Sequence, residues 1–314
     1  MMLVYSEDHK LSFELLGKAR ELSNETIAVI IGSQDDALLK EYASHGADKI
    51  IVVETTVGHV KAEESALILN QLIESTKSDI ILIGSTKNGK ELSSRLAGML
   101  NSGCVIDAIN IYVKDDMVTT ERVEYSGNAI AIEQFLTKPA IITVPSKVFD
   151  VLDGDDSRNA EAITKKISLE KSGSEIINIA KTESGGANVE EAEVIVSCGR
   201  GFKNKEDINL ANDLATVLKG KTVGCSRPIA ADLKWLPEDH WIGLSGHKVK
   251  PQLYVAAGIS GQIQHIAGMR DSAVVVAINK DPDALIFNSA DYGIVGDLYK
   301  VLPKLTDAIK EKMG

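Results

Sequence analysis

The chain has 314 residues, more than one hydrophobic core ordinarily organises, so two domains of roughly 100–200 residues are expected. A balance of 44% hydrophobic and 25% charged residues excludes general disorder, and 34 Lys and Arg against 45 Asp and Glu give a net charge of −11, which offers no overall field for nucleic acid or an anionic membrane face. Cys104, Cys198 and Cys225 stand too far apart for a CxxC, which excludes a zinc ribbon, a disulfide framework and a cysteine-ligated iron–sulfur cluster within this chain.

In chain order, short β-branched runs alternate with amphipathic stretches. Leu3–Tyr5, Ile27–Ile31, Ile50–Val53, Ile80–Ile83 and Ile141–Val144 read as strands. Between them, Ala66, Leu69, Leu72 and Ile73 fall on one helical face within Ala62–Ile73. This alternation predicts a parallel sheet buried on both faces. Ile109–Val113, Val118–Val123 and Ile130–Ile132 break the rhythm and predict an antiparallel excursion. The stretch Asp150–Gly173 is polar and turn-rich, Ile176–Ile179 is expected to add a strand, and Thr182–Asn188 reads as a linker. A second βαβ series follows: strand Val194–Val196, helix Ile208–Leu218, strand Thr222–Gly224, strand Leu253–Ala257, helix Gln262–Ala267, strand Ala273–Ile278, and a terminal helix Ile294–Lys310 interrupted at Pro303. The fold class is α/β: two doubly wound domains with mainly parallel sheets, over residues 1–185 and 190–314. No apolar run reaches the ~18–20 residues of a spanning helix, and the start turns acidic at Glu7-Asp8. A soluble protein of a reducing compartment, cytoplasmic, with no nucleic-acid partner and no membrane insertion, is expected.

In the first half, Gly84-Ser85-Thr86-Lys87-Asn88-Gly89-Lys90-Glu91 nearly matches a phosphate-binding P-loop. Glu91 replaces the hydroxyl that would hold Mg²⁺ and would repel a triphosphate, so a plain strand–helix turn competes with a nucleotide site. His9, His45 and His59 show no ligand spacing. In the second half, four predicted strands run into glycines, hydroxyls and positive residues: Ser197-Cys198-Gly199-Arg200-Gly201, Cys225-Ser226-Arg227, Gly258–His265 and Asn279-Lys280-Asp281-Pro282. Carboxyl ends of parallel strands are where such sheets bind ligands, and Ser260-Gly261 before a helix offers backbone N–H groups to a phosphate bridge. Cys198 and Cys225 read as small buried residues with no cysteine partner nearby, and Trp235 and Trp241 as loop packing.

The run Gly258-Ile259-Ser260-Gly261-Gln262-Ile263-Gln264-His265-Ile266-Ala267-Gly268-Met269, then Ala277–Pro282 and Ala290-Asp291-Tyr292-Gly293, resembles the electron transfer flavoprotein alpha subunit. Gly199-Arg200-Gly201 and Ser226-Arg227 stand in the family's order before it. The resemblance implies an FAD-binding C-terminal domain and a beta-subunit partner in a heterodimer. It implies Arg200 and Asn279 on the phosphate and adenosine side of FAD, Ser260, Gly261, Gln262, Ile263, Gln264 and His265 around the pyrophosphate, ribityl chain and ring, and Asp297 and Leu298 near the adenosine end. Ser226 and Arg227 would lie by the dinucleotide and the isoalloxazine ring. Ile242-Gly243-Leu244-Ser245-Gly246 matches the family's V-G-Q-T-G, whose threonine hydroxyl bonds the flavin's reactive nitrogen. Ser245 keeps that hydroxyl, Leu244 lacks the glutamine amide, and Cys198 replaces a usual glycine.

FAD supplies redox chemistry while the protein supplies binding and electrostatics. An electron added without a proton leaves negative charge on the ring, which Arg227 and a cationic His265 would stabilise. The implied function is an electron carrier, rather than a self-sufficient enzyme, from flavin dehydrogenases such as the acyl-CoA dehydrogenases of fatty acid beta-oxidation to a membrane quinone oxidoreductase. An electron-bifurcating form, using NADH and a second FAD on the beta subunit, fits the same sequence.

Overall fold

Apolar β-branched runs flanked by helical patterns bury both faces of a sheet, and the fold follows from that. The computed structural model describes residues 1–314 except Ser33, 56–59, 168–173, 180–187, Lys221 and Gly314. The chain divides into two compact units, Met1–Ile177 and Asn178–Gly314. The expected linker lies almost wholly outside the described residues.

The first unit begins β1 (Met2–Tyr5), α1 (His9–Leu22), β2 (Thr26–Ile31), α2 (Asp36–Ser44), β3 (Lys49–Glu54), α3 (Ala62–Thr76), β4 (Ile80–Gly84) and α4 (Lys87–Leu100). It continues through β5 (Cys104–Val105), β6 (Ala108–Lys114), β7 (Met117–Glu124), β8 (Ala129–Gln134), β9 (Ala140–Val144) and β10 (Glu161–Lys166). The main sheet has the order β10-β3-β2-β1-β4-β9-β5, and its strand pairs are parallel. Strand alternation splits its core: Met2 and Val4 face one apolar layer with Leu15 and Leu16, while Leu3 and Tyr5 face another with Leu69 and Leu72. Helix starts are fixed by side-chain caps, Asp8 on α1, Asp35 on α2 and Thr86 on α4. The antiparallel excursion is present as the three-stranded sheet β6-β7-β8.

Two expectations fail here. Within the stretch read as turns, β10 pairs in parallel with β3 and closes one sheet edge. Its sequence, Glu-Ala-Ile-Thr-Lys-Lys, is polar because an edge strand needs little burial and is protected by charge. Conversely, Ile176–Ile179 forms no strand; Ile177 is 97% exposed, so no packing surface exists to order it.

The second unit runs β11 (Val194–Cys198), α5 (Asn209–Val217), β12 (Thr222–Cys225), β13 (Leu253–Ala257), α6 (Ile263–Met269), β14 (Val275–Asn279), β15 (Tyr292–Val295) and α7 (Leu298–Met313). Its five-stranded sheet, ordered β12-β11-β13-β14-β15, is parallel throughout. One face packs Val196, Val255 and Ile278 with Leu214 and Leu302; the other packs Ile195, Tyr254 and Ala277 with Met269. The expected terminal helix starts later than Ile294, because Tyr292–Val295 extends the sheet edge beside β14. Pro303 lies inside α7 without ending it.

Candidate cofactor site

In the second unit the chain leaves β11 for β12 on one side and later returns to β13 on the other side of β11. Such a reversal of winding opens a crevice at the strands' carboxyl ends. The loops after β11 and β13 meet there at glycine: Gly201 N–H donates to the Gly258 carbonyl at 3.0 Å. Gly258 has φ +64°, and a Cβ on it would stand 2.8 Å from the Gly201 Cα. Glycine is required because backbone crosses backbone.

The loop then presents its own donors. The N–H groups of Ser260, Gly261, Gln262, Ile263 and Gln264 have no partner among the described residues, and the side chains of Ser260, Gln262, Ile263 and Gln264 are exposed. Gly261, at φ +83°, lets the turn press on Ile286, whose N–H donates to the Ser260 carbonyl at 3.2 Å. The following helix α6 spans only 7 residues, so these donors come from the loop and first turn rather than from a long dipole.

A second wall is built after β12. Ser226 N–H donates to the Cys198 carbonyl at 3.0 Å, and Ile242 N–H to the Cys225 carbonyl at 2.9 Å. The Ile242–Gly246 turn is tied to the first wall by Leu244 N–H, which donates to the Gln264 carbonyl at 2.7 Å. Leu244 and Ser245 are exposed at its tip. Arg200 and Arg227 are exposed, and neither pairs with a carboxylate among the described residues. The structure thus brings the loops carrying Arg200, Ser226, Arg227, Ile242–Ser245 and Ser260–His265 to one end of the sheet.

The remaining expected site residues also make contacts within the protein. His265 is buried, its Nε2 2.9 Å from the Tyr254 hydroxyl, and its Nδ1 makes no hydrogen bond of ordinary geometry. Burial lowers its pKa to about 4, with the Ile242 backbone opposing weakly, so the imidazole is neutral near pH 7 and not the expected cation. Asn279 braces the loops, its amide donating to the Ile259 carbonyl at 2.9 Å and its Oδ1 accepting from Asp281 N–H at 3.0 Å. Asp297 accepts from Tyr299 N–H at 3.1 Å in the first turn of α7, and Leu298 is buried against Gly201 and Gly258. Each holds the site's frame.

Sequence reasoning missed three partnerships. Cys198 and Cys225, thought to lack a neighbouring cysteine, are register partners across β11 and β12; burial raises both thiols. Both end a strand that runs into the site, which was the available signal. Tyr254 under His265 and Trp241 beside Arg227 are brought together only by the fold.

The first unit has its own reversal, between β1 and β4, and there the near-match to a P-loop is filled by the protein. Lys90 pairs with Asp107 at 2.8 Å, Asp107 also accepts from Ser85, and Thr86 bonds Glu7. A Cβ on Gly89 would fall 1.9 Å from the Gly84 carbonyl, so that glycine serves a tight turn. His9 bonds Tyr42 and His45 faces the Leu152 carbonyl; His59 lies outside the described residues. No cluster of metal-binding side chains occurs among the described residues.

Backbone donors and arginines without partners among the described residues, at a winding reversal with glycine cross-overs, fit a diphosphate-bridged dinucleotide, and so define a nucleotide-cofactor domain of the doubly wound class. The sequence pattern of the electron transfer flavoprotein FAD-binding domain matches residues 188–270, and that of the electron transfer flavoprotein domain matches residues 3–170. The electron transfer flavoprotein subunit alpha of Thermoanaerobacterium thermosaccharolyticum is 38% identical, over 96% of this chain and 93% of that protein. That of Bacillus subtilis is 38% identical over 97% and 94%, and Protein FixB of Clostridium saccharobutylicum 35% over 97% and 93%. The chain belongs to the electron transfer flavoprotein alpha-subunit family, and FAD is the cofactor of its C-terminal domain. No helix among the described residues is long and apolar enough to cross a membrane.

Proposed function

We propose that this chain is the FAD-carrying half of a cytoplasmic heterodimer with an electron transfer flavoprotein beta subunit, accepting electrons from flavin dehydrogenases such as acyl-CoA dehydrogenases and delivering them to a membrane quinone oxidoreductase. FAD supplies the one-electron chemistry when bound. The observation that carries the reading is the open reversal in the second unit, where the N–H groups from Ser260 to Gln264 and two arginines have no partner of opposite kind among the described residues. In this reading those N–H groups and Arg200 bind the diphosphate, with Ser226 lining the dinucleotide. Asn279, Asp297 and Leu298 shape the adenosine end. Ser245 offers a hydroxyl to the ring, and Arg227 sets a fixed positive charge beside it. Leu244 gives that edge a hydrocarbon and no amide. His265 joins as a neutral hydrogen-bonding group. No acid–base residue is assigned, because substrate chemistry belongs to the partner dehydrogenases.

Co-purification with the beta subunit, followed by a flavin spectrum and cofactor stoichiometry, tests this. One FAD per heterodimer, reduced by a flavin dehydrogenase and inert to NADH, is the expected result. Two FAD with NADH oxidation would replace it with the electron-bifurcating form. A colourless heterodimer would overturn the carrier role.

A further inference from the structure

Trp241 lies closer to the chemistry than loop packing suggests. Arg227 is exposed and has no carboxylate partner among the described residues, so no ion pair fixes its guanidinium. Its Cζ instead stands 5.7 Å from the Trp241 ring centroid. That is inside the ~6 Å range of a cation–π contact. The same indole meets the neighbouring turn. A Cβ on Gly243 would stand 3.3 Å from Trp241 Nε1, and one on Gly246 2.9 Å from Trp241 Cγ. The indole's own backbone is pinned: Trp241 N–H donates to the Glu238 carbonyl at 3.0 Å, and its carbonyl accepts from His247 N–H at 2.8 Å. One rigid ring therefore touches both Arg227 and the turn that carries Leu244 and Ser245.

We infer that Trp241 is a positioning residue, setting the Arg227 guanidinium and the Ser245 turn in fixed relation to the cofactor's ring. The inference rests on the proposed placement of Arg227 beside that ring. Because Leu244 supplies no polar group, Arg227 and Ser245 carry the ring-side polar contacts of these two loops, and both are set by the indole.

The chain has two tryptophans, so in a Trp235→Phe background Trp241 is the sole indole reporter. Without cofactor, Arg227→Ala in that background should raise acrylamide quenching of its emission about twofold as the guanidinium cover is lost. Unchanged quenching overturns the contact. In the FAD-loaded heterodimer, Trp241→Leu should lower the first-electron potential of the bound flavin, changing that equilibrium constant by about 2–5-fold, the equivalent of an exposed cation–π contact. Trp241→Phe, which keeps a ring face, should recover much of the loss. In the Arg227→Ala protein, Trp241→Leu should have a smaller effect than in the wild type, leaving only the part carried by the Ser245 turn; a fully additive effect overturns the inference. A potential moved by Arg227→Ala but unmoved by Trp241→Leu overturns it alone. A potential unmoved by Arg227→Ala overturns the ring-side placement of Arg227 and the inference with it, while the quenching result still reports the contact.

Discussion

The two units share a parallel doubly wound sheet with a winding reversal, yet they treat that reversal in opposite ways. In the first, the turn after β4 carries a lysine and hydroxyls as a phosphate loop would. Lys90 is taken by Asp107, Ser85 by Asp107 and Thr143, and Thr86 by Glu7, while Lys87 stands exposed. In the second, the loop after β13 leaves its backbone donors without partners among the described residues, and the nearby arginines have no carboxylate among them either. The lesson is that a motif is a ligand site only if its polar groups remain unsatisfied by the protein. A satisfied Lys–Asp pair must be broken before any phosphate can bind, whereas free N–H groups gain from one.

The same methyl placed at both reversals should affect the two units differently. At Gly261 the backbone has φ +83°, and a Cβ would stand 2.0 Å from Ile286 N. Gly261→Ala should therefore cost about 2–5 kcal/mol, from strain and overpacking, and should strip FAD from the folded chain. At Gly89 the clash is with the Gly84 carbonyl, 1.9 Å away. Gly89→Ala should destabilise the first unit but leave FAD affinity per folded molecule within about twofold. Thermal unfolding with FAD titration separates the two; equal loss of FAD in both variants would erase the distinction.

The next effect is pH-dependent and belongs to the second unit. His265 has its pKa lowered to about 4 by burial, against about 6.5 in the unfolded chain. Between those values the unfolded state holds more protons than the native state, so stability rises with pH. The neutral ring costs nothing above about pH 6.5. As pH falls toward 4, up to about 3 kcal/mol of stability is lost. Urea unfolding of the second unit should show this slope, and His265→Phe should flatten it between pH 6.5 and 4.5. A slope unchanged by His265→Phe would place the sensitive group elsewhere.

What was legible in the sequence divides along physical lines. Strands buried on both faces announce themselves as apolar runs, so β1 to β4, β9, β11 and β13 were readable. β10 was not, because its residues Glu161 to Lys166 sit at an edge, where charge is an advantage. The start of α7 was misplaced because Ile294 and Val295 are apolar in strand and helix alike, although Asp297 before Leu298 was a usable capping signal. The candidate loops were readable through glycine at strand ends. The charge of His265 was not, because burial beside Tyr254 depends on residues brought together only by α6 packing on the sheet. Likewise the Cys198–Cys225 pairing is a statement of register, which strand identity alone leaves open.

The smallest expected effect tests whether the first unit's reversal is closed or only idle. Lys90 and Asp107 are 41% and 29% exposed, so solvent screens their attraction, and the pair is worth about 0.2–1 kcal/mol. Lys90→Met should lower stability by no more than that, and the difference should shrink in ~1 M salt, where the screening length is about 3 Å. FAD content should not change, and neither wild type nor variant should hydrolyse ATP, since Glu91 stands where a metal-holding hydroxyl would be needed and repels the phosphates. ATP hydrolysis by the wild-type chain, lost in Lys90→Met, would show that the pair opens to admit phosphate. The first unit would then hold a latent nucleotide site, and satisfaction by internal partners would cease to distinguish the two halves.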